Sequence, residues 1–311
     1  MLVFPCTGGL DLPQTLQSGQ CFRWQSTPQG WLGVVERRAV LARTLPGGAL
    51  ELTGLAGYAP EAEPAFWQSY FALDMDYAAL QRVFCSAHPR LAGCVACAPG
   101  IRVLRQPFFE TLVSFIISQN NNIPRIRAII GRLCRALGEP LGPVPPELAA
   151  AVAVPAGGTA DAPAGQTGAG TPGGLYAFPT AQRLATLGEE DLAFLRAGWR
   201  AAYILDAARC VAGGTLREQE LRALPTEQAR RLLMQVRGVG PKVADCTLLY
   251  GLARWDAYPV DVWMKKADRA LFTGRVRDAG RYLNRRTGGT AGIAQQYIFA
   301  WAQHGPGREL L

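Results

Sequence analysis

Nowhere in its 311 residues does the chain gather the roughly 18 consecutive apolar residues of a membrane span, although 49% of it is hydrophobic. Its start, MLVFPCTGGLDLPQ, lacks both a basic leader and a long apolar stretch. Those absences predict a cytoplasmic protein that engages no membrane. Cysteine is sparse, with eight scattered residues. A chain of this size buries enough surface to fold without covalent staples, so reduced thiols are expected. Acidic residues are the minority, 24 against 32 Lys and Arg. The excess favours a polyanionic partner, although a basic protein with no such partner can share the composition.

One group has metal-like spacing: Cys85, His88, Cys94 and Cys97 in CSAHPRLAGCVAC. The short gap after His88 leaves little chain to wrap a tetrahedron. No βαβ pattern surrounds Cys94 and Cys97, which argues against a redox pair. We therefore expect no metal and no cofactor.

The texture of the chain changes along its length. Residues 20–53 alternate apolar and polar positions and turn at PGG, which predicts antiparallel strands. From EPAFWQSYFALDMDYAALQRVF onward the apolar period becomes helical. The predicted class is α+β, with an N-terminal sheet domain over residues 1–98 and an all-helical body over 99–311. Residues 138–174 are mostly Pro, Gly and Ala, with little apolar surface to bury, and are expected to form a flexible insert. The cost of closing such a loop grows only logarithmically with its length.

Further on, TEQARRLLMQV has helical spacing, RGVG forces a turn, and PKVADCTLLYGL resumes a helix with Pro241 at its first position. This is a helix, hairpin, helix. Gly238 and Gly240 let the backbone approach a ligand and leave N–H groups free for a DNA phosphate, though an ordinary tight turn uses the same residues. Lys242 stands at the positive end of a helix dipole, which disfavours its charge. A neutral lysine is a nucleophile. Downstream, in YPVDVWMKKADRALF, Asp261 opens another helix, where it suits an N-cap and also a carboxylate partner for the lysine.

At these residues the chain resembles the helix-hairpin-helix DNA glycosylases, and within them the 8-oxoguanine DNA glycosylase/AP lyases. The resemblance also rests on LQSGQCFRW at 16–24, GIRVLRQPFFETLVSFIISQNNNIPRI at 100–126, AGWRAAYI at 197–204 and AGIAQQYIF at 291–299. It implies a TATA-binding-protein-like sheet ahead of the helical body. It also implies that Lys242 attacks C1′ of the damaged nucleotide, displaces the base and forms a Schiff base that permits β-elimination. Asp261 would stabilise positive charge on the sugar. The partner would be double-stranded DNA containing 8-oxoguanine, bound by a monomer at a bacterial nucleoid or in a eukaryotic nucleus.

The damaged base must leave the stack to be reached. By the resemblance, the Gly19 carbonyl meets the N7 hydrogen that 8-oxoguanine has and guanine lacks, and Gln295 reads the Watson–Crick edge. Phe299 and Cys246 would sandwich the ring; core packing suits either residue as well. Asn120, Arg125 and Arg200 match positions that fill the gap and hold the orphaned cytosine. Trp199 stands where a tyrosine wedge is usual. Trp263 replaces a histidine, and its indole N–H could donate to a phosphate. No cysteine follows Cys246, so the iron–sulfur cluster of the endonuclease III branch is absent. Two other readings compete. A non-catalytic hairpin module would not need Lys242 with Asp261, and an alkylated-base glycosylase would need neither Lys242 nor SGQCFRW.

Overall fold

The structure, a computed structural model, describes residues 1–6, 9–148, 174–272 and 276–310. Five antiparallel strands open it: β1 (Leu2–Phe4), β2 (Trp24–Thr27), β3 (Gly30–Val35), β4 (Arg38–Thr44) and β5 (Leu50–Gly54), in the order β1-β5-β4-β3-β2. Alternation in the sequence placed the last four. A glycine fixes the packing of the β2–β3 pair, because a Cβ on Gly33 would fall 2.3 Å from the ring of its cross-strand partner Trp24. That bare position lets the indole lie flat on β3. Trp24 is buried and its Nε1 donates to the Tyr70 hydroxyl at 2.8 Å. Around it Val35, Val40, Leu50 and Leu52 pack against Trp67 and Phe71, on and just after the helix Pro64–Tyr70.

The other sheet face is apolar too, since Leu32, Val34 and Leu41 are buried. Water cannot be left against such a face without cost. Its cover corrects the expected insert, because part of that Pro/Gly-rich stretch is ordered. β6 (Pro140–Pro143) pairs antiparallel with β7 (Gly174–Tyr176), and Val144, Leu148 and Leu175 pack onto the outer face of the sheet. The remainder of the predicted insert, 149–173, lies outside the described residues.

The helical body is built around the helix Phe108–Ile117, buried at every position from Thr111 to Ile117. Such all-round burial marks the centre of a bundle. It is flanked by Ile123–Leu137, Arg200–Ala212 and Pro241–Cys246, while Val262–Phe272 packs on Ala291–His304. The helices Tyr77–Ala87 and Leu91–Cys97 give Tyr77, Phe84, Leu91 and Cys94 to this core. One buried amide stitches sheet side to helical side. Gln20 donates to the Arg102 carbonyl and accepts from the Leu104 N–H, each at 2.8 Å. With a donor and an acceptor both used, the loop that carries Gly19 is held in place.

Candidate active site

The turn between the helices Thr226–Leu233 and Pro241–Cys246 carries two glycines with different tasks. Gly238 has φ +79°, and a Cβ there would meet the Tyr203 ring at 2.0 Å, so packing alone requires it. Nothing lies within 4 Å of the corresponding position on Gly240, which N-caps the second helix. The open glycine is the one whose neighbouring N–H groups can take a phosphate.

Lys242 follows in the first turn. It is one of three lysines in the chain, and the other two, Lys265 and Lys266, are exposed. The Lys242 side chain is half-buried, with Nζ 3.1 Å from Ser118 Oγ and 4.9 Å from the centroid of the Phe115 ring. It makes no ion pair among the described residues. One turn on, burial pushes the Cys246 thiol up to about 12, with the Lys242 charge pulling it back. A thiol so placed is held in its protonated, weakly nucleophilic form at neutral pH. The helix then widens into a π-helical turn, Thr247–Gly251. Such turns recur at functional sites. This one presents Tyr250, stacked on Phe115 with centroids 5.4 Å apart and planes 18° apart.

Asp261 caps the helix Val262–Phe272, accepting the Met264 N–H at 2.8 Å through Oδ1. Its charge reaches both Cys246 and Tyr250, which places it on the Lys242 side of the site. The cap fixes one carboxylate oxygen, and the other makes no hydrogen bond among the described residues.

The proposed base pocket lies between the Gly19 loop and the helix Ala291–His304. Gly19 has φ +78°, and its missing Cβ would sit 3.7 Å from the Phe299 ring. Gln295 is 4% exposed, and its Oε1 is buried with no hydrogen-bond partner. An orphaned acceptor in a native core calls for a ligand or a water. The next residue was not anticipated from the sequence. Gln296, 1% exposed, donates to the Ser18 carbonyl at 3.0 Å and accepts from the Tyr250 hydroxyl at 2.7 Å. The signal was present as two consecutive glutamines inside the mostly apolar run Ala291–Ala302.

A second constellation gathers around Asn120, exposed and left-handed at φ +46°. Arg200 is buried, and its fork is turned onto main-chain carbonyls: Gln119 at 2.9 Å, Asn120 at 3.1 Å and Ala197 at 3.1 Å. It ties the 119–120 turn to the 196–197 turn. Arg125 is exposed and donates weakly to the Arg196 carbonyl at 3.4 Å. Trp199 is 47% exposed, with the Arg200 guanidinium 4.3 Å from its ring centroid and Tyr203 edge-on behind it. Trp263 is 37% exposed beside Lys266. Large apolar rings held open to solvent in this way suit insertion into a base stack.

The four metal-like residues do not converge. His88 lies edge-on to Phe272, its Nδ1 accepting the Arg90 N–H, and Cys94 donates to the Arg90 carbonyl. Among the described residues no three His, Cys, Asp or Glu side chains are placed to hold a metal ion. No described helix is long and apolar enough to cross a membrane.

The chain is similar to several known proteins. Residues 3–112 match the family described as "8-oxoguanine DNA glycosylase, N-terminal domain". The Arabidopsis thaliana protein named N-glycosylase/DNA lyase OGG1 is 29% identical over 262 residues, which are 82% of this chain and 64% of that protein. The chain thus spans just under two thirds of the plant relative's length. Among solved structures, MBOgg1 in complex with a low affinity DNA ligand is 32% identical with a TM-score of 0.80, covering 99% of this chain and 95% of that one. The Clostridium acetobutylicum 8-oxoguanine glycosylase/lyase, in complex with duplex DNA containing cytosine opposite 8-oxoG, is 30% identical with a TM-score of 0.76. The match covers 94% of this chain and 92% of that one.

Proposed function

The chain belongs to the 8-oxoguanine DNA glycosylase/AP lyase family, and from that membership we propose that it excises 8-oxoguanine from duplex DNA and then cleaves the abasic site. Lys242 is the nucleophile. Its Nζ attacks C1′, the glycosidic bond breaks with its electron pair leaving on the base, and the sugar ring opens to a Schiff base. Loss of a C2′ proton then expels the 3′ phosphate. Asp261, held beside the reacting sugar by its capping bond, offsets the positive charge that develops there.

The observation that carries this reading is a half-buried lysine, hydrogen-bonded to Ser118 and without an ion pair among the described residues, in a chain that also buries the Gln295 acceptor without a partner. The Watson–Crick edge of 8-oxoguanine offers N1–H and amino donors, which Gln295 Oε1 would accept. Guanine offers the same edge. The Gly19 carbonyl would then read the N7 hydrogen that only the lesion has, with the base held between Phe299 and Cys246. Asn120 and Trp199 fill the vacated stack, Arg125 and Arg200 face the orphaned cytosine, and Gly238, Gly240 and Trp263 lie along the backbone of the lesion strand. Such a substrate places the protein at the genome, in a nucleoid or a nucleus.

The test is borohydride trapping. A duplex with 8-oxoguanine opposite C should yield a covalent protein–DNA adduct, and an undamaged duplex should yield none. No adduct on the damaged duplex would overturn the reading.

A further inference from the structure

Beside the 119–120 turn, four guanidiniums gather close enough for the charges of three to act on the fourth. Arg125 and Arg132 stand seven residues apart on the helix Ile123–Leu137, and so on one face. Arg135 follows one turn on. Arg196 meets them from the end of the 3-10 turn Glu190–Leu195. None of the four is in an ion pair among the described residues. Among the described residues their guanidinium hydrogen bonds run only to main-chain carbonyls, Arg132 to Leu195 at 2.6 Å and Arg125 to Arg196 at 3.4 Å. Arg132 Nε is buried and has no acceptor. Burial and the charges of Arg196, Arg125 and Arg135 push the Arg132 guanidinium below the ordinary arginine value.

Arg196 sharpens the point. Its φ is +51°, in the left-handed region that glycine occupies without steric cost. Of the six described non-glycine residues with positive φ, it is the only basic one. Folding would favour a glycine there, and electrostatics would favour a neutral residue. A bound anion reverses the second preference.

We propose that Arg132 and Arg196, adjoining Arg125, form a cradle for the phosphodiester backbone of the lesion-free strand. The proposal rests on the glycosylase reading above. It assigns the strand by position: the hairpin with Gly240 faces the damaged strand, whereas Asn120, Arg125 and Arg200 stand on the side of the orphaned base. Two guanidiniums without ion pairs among the described residues match consecutive phosphates, and each phosphate neutralised adds a counterion to the salt dependence of binding.

The test uses Arg196→Gly, a change the left-handed backbone accepts. Binding to a duplex carrying 8-oxoguanine opposite C is measured against salt, for the wild type and the variant. A second duplex carries uncharged methylphosphonate linkages in the lesion-free strand around the orphaned C. We expect the variant to melt at or above the wild-type temperature and to bind the native duplex about fivefold more weakly, with a log–log salt slope smaller by about 0.9. The methylphosphonate duplex should weaken the wild type more than the variant, which keeps only Arg132 of the pair. Unchanged affinity and slope in Arg196→Gly, or equal sensitivity of both proteins to the neutral linkages, would overturn the cradle while leaving the glycosylase reading intact. A wild type that binds no duplex would overturn both.

Discussion

The Tyr250 hydroxyl donates to Gln296 Oε1 at 2.7 Å, and Gln296 passes the constraint on by donating to the Ser18 carbonyl at 3.0 Å. Ser18 adjoins Gly19, and the Tyr250 ring stacks on the Phe115 ring over which the Lys242 ammonium lies. The loop proposed to read the lesion and the lysine proposed to attack it thus share one buried connection. Tyr250→Phe should leave Gln296 Oε1 without its donor, at about 1 to 2 kcal/mol. We expect 8-oxoguanine excision to fall roughly five- to thirtyfold, while β-elimination at a preformed abasic site changes less than threefold. Equal losses in both assays would mean that Tyr250 supports only the fold.

Lys242→Gln should bind damaged duplex and form no borohydride-trapped adduct, because a carboxamide cannot make a Schiff base. Asp261→Asn should melt like the wild type, since Asn caps helices as well as Asp does, yet lose most of its turnover with the charge. Persistent trapping in the lysine variant would remove Lys242 from its role. Full turnover in Asp261→Asn would reduce Asp261 to a cap.

What the sequence revealed were features set by nearest neighbours. Alternation marked β2 to β5, GVGPK marked the hairpin, and the Pro259-Val260-Asp261 run marked a helix start. Burial of polar groups is a tertiary property, so Gln20 and Gln296 could not be told from surface amides. The cover of the outer sheet face was hidden for a related reason. Val144, Leu148 and Leu175 are isolated apolar residues in a Pro/Gly-rich stretch, and only the apolar outer residues of β3 and β4 explain them. Arg200 was visible as a donor, but not the carbonyls that already occupy it.

That cover is testable. Leu148 is 3% exposed against the sheet, so Leu148→Ala should cost about 2 to 4 kcal/mol. A deletion beginning at residue 143 removes Val144 and Leu148, whereas one beginning at 149 keeps both. The first should melt several degrees below the second. Identical melting temperatures would show that the outer face needs no cover.

Burial pushes the Asp268 carboxyl up to about 6; the Tyr258 hydroxyl, 2.8 Å away, pulls it back and the Asp278 charge pushes it higher. The folded state therefore binds this proton more tightly than the unfolded state does. Its stabilising contribution is full below about pH 4 and is lost as pH rises through about 6. Asp268→Asn keeps an acceptor for Tyr258 and has no charge to bury. Relative to wild type it should gain on the order of 1 to 2 kcal/mol between pH 4 and pH 7, read as a few degrees in the difference of melting temperatures. A difference that does not vary with pH would refute the shift.

The orphaned base gives the sharpest contrast, because the two arginines facing it are held so differently. Arg125 is exposed with one weak bond, and Arg200 is buried with its fork on the carbonyls of Gln119, Asn120 and Ala197. Cytosine presents two adjacent acceptors, N3 and O2, at its Watson–Crick edge, whereas adenine presents N1 alone, with C2–H where a second guanidinium bond needs an acceptor. Such a mismatch costs about 1 to 3 kcal/mol per contact. Excision opposite C should therefore exceed excision opposite A by at least about tenfold. Arg125→Ala should flatten that ratio by lowering the C-paired rate, at unchanged melting temperature. Arg200→Ala should flatten it as well, and should also lose about 1 to 3 kcal/mol of stability, because three carbonyls lose their donor and the two turns come untied. Equal wild-type rates opposite C and A would mean that these arginines hold backbone alone, Arg200 that of its own chain and Arg125 that of the DNA.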